Sequence, residues 1–312
     1  MRDRAANWAA IFITTMFLPY CFTMMVSGAY VDRQAKEQSG IILIDSQGEK
    51  TDMEEFLPYM IAGEIDLEDE EETLKAQAVI ARTNIMRALN GKTEEKIENL
   101  SLIYLSQADF ENSFGEKKRE RIMAQLKKAV RETAGKVITY NNEYIEALYH
   151  QVSIGTTVSA AEVYGKDLPY LTAVDSSQDV ESEDYMTIKE VGKEEALSLL
   201  KSKIKGEALT TDNLMDQLKI EEKTASGFVK TVKAGEETLS GDDWKTIFSL
   251  PSTNFYLEEY EGKLRIITLG QGHCMGMSQY GANEMAKEEK NWEDILAWYY
   301  PGTKIKNIEK EK

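Results

Sequence analysis

Residues 53–85, MEEFLPYMIAGEIDLEDEEETLKAQAVIARTNI, hold two helical patterns joined by an acidic turn. Phe56, Leu57, Tyr59, Met60 and Ile61 predict a helix from Met53 that ends near Gly63, with Glu64 at its edge. The carboxylates of residues 68–72 then suit the start of a second helix, where free N–H groups favour negative charge. Its core stripe is Leu74, Ala78, Ala81 and Ile85. Lys75 and Arg82 stand seven residues apart, so they share one side of that helix beside the stripe. A basic pair there suits a cleft around Glu64, and equally suits a solvated face.

Working outward, Ile41-Ile42-Leu43-Ile44 before a Ser46-Gln47-Gly48 turn predicts a first strand, so the folded part begins near Gly40. Residues 116–134 form an amphipathic helix; residues 137–140 and 144–149, around Asn141-Asn142, read as a hairpin leading into His150. Residues 180–224 are weakly periodic apart from a helix at 193–204 and read as a peripheral lobe. Alternation returns at 227–239, Gly241-Asp242-Asp243-Trp244 opens a helix, and residues 264–269 form a strand. Helices and strands without regular alternation predict an α+β fold of mixed helices and antiparallel strands around a cleft.

The chain has 312 residues and a formal net charge of −17, with 54 acidic against 37 basic side chains. Its field repels polyanions, which excludes nucleic acid as a partner. No charge occurs between Arg4 and Asp32, and residues 8–26 are long and apolar enough to span a bilayer. Arg2 and Arg4 place the amino end in the cytoplasm, giving a cytoplasmic stub (1–7), an anchor (8–28), a linker (29–39) and an extracytoplasmic domain (40–312) in a single-pass cell-membrane protein. A cleaved signal peptide, using Val26-Ser27-Gly28-Ala29, is the competing reading. Cys21 and Cys274 lie too far apart in context for a disulfide, and two His and two Cys so scattered match no metal site; no cofactor is expected.

The Gly-rich run from Gly270 to Gly281 follows a strand and precedes a helix, as a dinucleotide loop would. The spacing fails, because Met275 stands where the third glycine belongs. What remains is a tight turn presenting His273, Ser278, Gln279 and Tyr280, suited to sugar hydroxyls and amides. A second loop carries His150 and Ser153, from which a Ser-His triad with Glu162 or Asp175 is conceivable, although no nucleophile elbow surrounds Ser153.

Three blocks carry a resemblance. The first is Glu55-Phe56-Leu57 through Gly63-Glu64 and residues 74–83; the second is Tyr149-His150, Ser153, Gly155, Glu162-Val163-Tyr164-Gly165 and residues 168–176. The third is Ser252-Thr253-Asn254-Phe255, Gly272-His273 with residues 276–282, and Tyr299-Tyr300-Pro301-Gly302-Thr303. From about residue 50 to the end, the chain resembles the stage II sporulation protein D family.

The resemblance implies a lytic transglycosylase that cleaves denuded peptidoglycan glycan strands between N-acetylmuramic acid and N-acetylglucosamine, giving a 1,6-anhydro product during engulfment. Glu64 matches the family's catalytic glutamate, and Ile61 and Ile65 offer the apolar setting an acid needs. Lys75 and Arg82 match family positions and are expected to meet the anionic glycan; Gln77, His150, Ser153, His273, Ser278, Gln279 and Tyr280 are expected in the cleft. Tyr170, between Pro169 and Leu171, reads equally as cleft or core. Implied partners are the stage II sporulation proteins P and M. This chain departs from the family at Gly63, Ile65-Asp66 and Cys274, and a non-catalytic glycan-binding scaffold that recruits a cell-wall amidase is the alternative.

Overall fold

A computed structural model describes residues 39–204 and 209–308. The stub, the anchor and all of the linker but Ser39 lie outside the described residues, and among the described residues no helix is long and apolar enough to cross a membrane. Asp52 pins the start of the domain. Its carboxylate accepts from Ser39 and Gly40 N–H groups and from Glu54 N at 2.9 Å, so one side chain holds the entering chain and caps the first helix.

Helix α1 (Met53–Glu64) and helix α2 (Glu71–Leu89) are the pair expected from the opening stretch. One side of α2, Leu74, Ala78, Ala81 and Ile85, packs with α1 and with α4 (Glu116–Glu132). Strands β1 (Ile42–Ile44), β2 (Lys50–Asp52) and β3 (Glu94–Lys96) join the same core, β1 running antiparallel to β2 and parallel to β3. The other side, Ala76, Val79 and Ile80, packs into a second core with Ile138, Met275, Met277, Tyr299 and Tyr300. A helix apolar on two sides belongs inside a protein, and α2 is the central element here. Each large apolar side chain it buries contributes roughly 1.5–3 kcal/mol.

Strand β4 (Lys136–Tyr140) turns through Asn141 and Asn142 into β5 (Glu143–Tyr144), both asparagines taking positive φ. The hairpin is shorter than its alternation suggested. After β5 the chain leaves the sheet, and β6 (Tyr149–His150) pairs in parallel with β13 (Met277–Ser278) of the Gly-rich turn.

Residues 180–224 do not stand apart as a lobe. Strand β7 (Met186–Gly192) is antiparallel to β12 (Lys263–Leu269), which pairs on its far edge with β11 (Phe255–Tyr260). Strand β8 (Leu218–Lys223) joins β9 (Val229–Ala234) and β10 (Glu237–Ser240). These strands share a third core with α6 (Lys193–Lys201) and α8 (Gly241–Phe248), around Val191, Leu200, Trp244, Phe255 and Leu264. A strand such as β7, mostly exposed and paired with β12 some seventy residues away, carries little local periodicity, which is why the segment reads as irregular. The fold is α+β, with mostly antiparallel pairing.

Candidate active site

Glu64 is the last residue of α1, and the turn beyond it breaks away because Ile65 is extended, its N–H reaching back to Ile61 O at 3.2 Å. Asp66 turns outward and caps its own turn, Oδ1 accepting from Glu68 N at 3.0 Å. Gly63 is required where it stands: a Cβ there would lie 2.9 Å from the backbone of Tyr104 and Leu105, and Leu105 N donates to Tyr59 O at 3.0 Å. The lack of a side chain at Gly63 therefore admits the 104–105 backbone against α1.

Three neutral side chains converge on Glu64. Gln77 Nε2, from α2, donates to Glu64 Oε2 at 2.9 Å, and Tyr149 of β6 hydrogen-bonds the same carboxyl. Gln279 opens helix α9 (Gln279–Lys287), and its Nε2 donates to the Glu64 backbone carbonyl at 2.8 Å and lies 3.4 Å from Gln77 Oε1. Among the described residues Glu64 has no ion pair. Burial pushes its pKa up to about 7, against the lowering effect of the Gln77 and Tyr149 hydrogen bonds. Tyr149, raised by burial and by the Glu64 charge beside it, stays protonated and donates. Tyr149 stands in the second block of the resemblance but receives no site role from the sequence, because a two-residue parallel pairing leaves no pattern.

The Gly-rich turn reaches this position because Gly276 lacks a side chain. A Cβ there would stand 1.9 Å from Leu148 O, so no other residue lets β13 lie beside β6. Neighbouring residues of the turn serve different partners. Gln279 faces Glu64, whereas Ser278 Oγ donates to Asp179 Oδ2 at 2.7 Å. Ser153 N donates to the same oxygen at 2.6 Å. Both serines are fully buried, so they brace the two loops on Asp179 rather than line a cleft, and Asp179 is a residue the sequence pattern left unmarked.

His150 is also buried. Its Nδ1 lies 3.1 Å from Met275 O, and since a carbonyl only accepts, Nδ1 carries the proton and Nε2 has no partner among the described residues. His273 Nδ1 accepts from Met275 N at 3.1 Å, and the two rings stand 6.0 Å apart. Burial first, and then the charge of His273 in one case and of Lys245 of α8 in the other, lower His150 to about 3 and His273 to about 4. Among the described residues neither ring hydrogen-bonds Ser153, whose partner is Asp179, so His150 and Ser153 do not form the core of a Ser-His triad there. Tyr280 is half-buried beside the turn, its N–H on Gln151 O at 3.0 Å. Tyr170 belongs to the core: it is buried, stacks obliquely on Tyr140, and its hydroxyl accepts from Glu146 N at 3.3 Å.

The expected cations are not in the site. Arg82 is 0% exposed, with Nε and Nη2 each 2.7 Å from the Glu54 carboxylate at the far end of α1 and further N–H groups on Lys136 O and Val130 O. Lys75 Nζ is held by Glu71, Glu72 and Glu132 at 2.7–2.8 Å. Burial alone would pull its pKa down, and those three carboxylates overcome it and raise it. Both charges are neutralised inside the protein. Asp69, after α1, is pushed to about 7 by burial and by Asp66, but it faces Lys287 and Glu284 of α9 rather than the Gln77–Tyr149 pair.

Residues 46–140 match the family model described as Stage II sporulation protein, SpoIID. Stage II sporulation protein D of Bacillus subtilis (strain 168) is 33% identical over 265 residues, covering 82% of this chain and 75% of that protein. The protein of that name from Bacillus amyloliquefaciens is 31% identical over the same shares. The amidase enhancer of Bacillus subtilis is 24% identical over 281 residues, 75% of this chain and 38% of that protein.

Proposed function

Because the chain belongs to the stage II sporulation protein D family, we propose that it is a membrane-anchored lytic transglycosylase of the sporulating cell wall, cutting denuded glycan strands with Glu64 as its acid and base. The observation that carries this reading is a single carboxyl held near pH 7 by burial and hydrogen-bonded only by neutral groups. Such a group exists in both protonation states at neutral pH, as one residue acting twice requires.

The protonated carboxyl gives its proton to the glycosidic oxygen as the bond to muramic C1 breaks. The carboxylate then takes the proton of the muramic C6 hydroxyl, whose oxygen bonds to C1 and closes the 1,6-anhydro ring. An internal nucleophile makes a second carboxylate unnecessary. Gln77 and Tyr149 stabilise the carboxylate between the two transfers. With Arg82 and Lys75 occupied, this reading assigns the lactyl carboxylate to Lys245, whose charge acts on His273 of the Gly-rich turn. Residues 8–28 would hold the domain on the outer side of the membrane, where the stage II sporulation proteins P and M are the partners this reading supplies.

Similarity to the amidase enhancer supports a second reading, a glycan-bound scaffold that stimulates an amidase. Mass spectrometry of denuded strands treated with wild type and Glu64→Gln separates them. Anhydro-muramic ends from wild type alone support the transglycosylase, reducing ends indicate a hydrolase, and intact bound strands support the scaffold.

A further inference from the structure

Gln279 and Gln77 are separated by 202 positions in sequence, yet both are buried and their amides meet beside Glu64. The orientation of each amide follows from what it faces. The Glu64 backbone carbonyl can only accept, so the Gln279 group directed at it, 2.8 Å away, must be the nitrogen. Its second N–H is then directed at Gln77, 3.4 Å away, which turns the Gln77 oxygen toward Gln279. Gln77 is left with its nitrogen toward Glu64 Oε2 at 2.9 Å. The bonds form a closed ring that starts at the Glu64 main-chain oxygen and ends at its side chain.

We propose that Gln279 is a positioning residue that locks the Gln77 amide in its donating orientation and thereby sets the proton affinity of Glu64. The proposal rests on the reading of Glu64 as the acid and base. An unlocked amide has two orientations: nitrogen toward Glu64 favours the carboxylate, and oxygen toward Glu64 favours the protonated acid. Burial already favours the protonated form. Without the lock, Gln77 turns its oxygen to the acid and less of the carboxyl is ionised at neutral pH. Gln279 acts through Gln77 and need not touch the glycan.

The test follows the Glu64 carboxyl by carbon-13 NMR titration and the pH–rate profile on denuded glycan, in the wild type, Gln279→Met, Gln77→Met and the double variant. Gln279→Met is expected to raise the Glu64 titration by about one pH unit and to move the alkaline limb of the rate profile up by the same amount. On the Gln77→Met background it is expected to add nothing. Gln279→Asn, whose shorter amide cannot span both contacts, is expected to give the same shift and serves if the Met variant does not fold. An unmoved titration, or an equal shift with and without Gln77, would overturn the proposal. A shifted titration in a protein that yields no anhydro product even as wild type would retain the lock and remove the transglycosylase reading instead.

Discussion

Helix α1 carries a carboxyl at each end, and α2 supplies a partner to both. Glu54, in the first turn, meets the Arg82 guanidinium through two 2.7 Å bonds, and Glu64, in the last turn, meets the Gln77 amide at 2.9 Å. The helix field favours negative charge at the first position and opposes it at the second. Glu54 is therefore a strut, both of its oxygens taken up by the Arg82 guanidinium. Glu64 keeps a transferable proton because none of its partners brings charge. The partner, more than burial, separates a structural carboxyl from a chemical one.

The largest effect should come from Glu64→Gln, which removes the proton donor and should lower anhydro-product formation about 10²–10⁴-fold. The same substitution should stabilise the protein at alkaline pH. The folded-state value of about 7 lies above the ordinary 4.5, so stability is fully present below pH 4.5 and declines as pH rises through about 7. Relief of that cost should give Glu64→Gln about 1–2 kcal/mol over wild type at pH 8 and nothing at pH 4, read by denaturant unfolding. A variant less stable at pH 8 would put Glu64 on the strut side of the comparison.

Arg82→Met tests the other end of α1. It leaves Glu54 buried and unpaired and should destabilise by about 3–5 kcal/mol, while the folded fraction keeps its affinity for glycan. Normal stability with lost glycan binding would mean that Arg82 meets substrate after all. Asp179→Ala, which strips the partner from Ser153 N and Ser278 Oγ, should cost about 1–3 kcal/mol and loosen the turn that carries Gln279. The smallest effect belongs to Lys245→Gln: the NMR titration of His273 should move upward from about 4 with no change in melting temperature.

The sequence made Glu64 legible because a helix, an acidic turn and a second helix are local patterns, and their observed bounds lie within a few residues of those expected. Assigning Arg82 to Glu64 failed for a geometric reason. Seven helical residues span about 10 Å, so two positions on one side of α2 reach different ends of an antiparallel neighbour. Periodicity reports the side and not the end. Tyr149 and Asp179 were hidden for a different reason, since both depend on the meeting of β6 with β13 and of residue 179 with residue 278, contacts that no window of sequence contains. Gln279 was legible as a polar side chain on a tight turn, but not as a neighbour of Gln77.

Cys274 adopts φ of 58° and is wholly buried, its thiol pushed up to about 12 by burial. A thiol so shielded and so weakly acidic is chemically silent toward maleimides at neutral pH. A version beginning at residue 39 would thus present no background to a cysteine introduced on the surface, and a pair of dyes, one on α2 and one on β12, would report any change in their separation when a glycan strand is added.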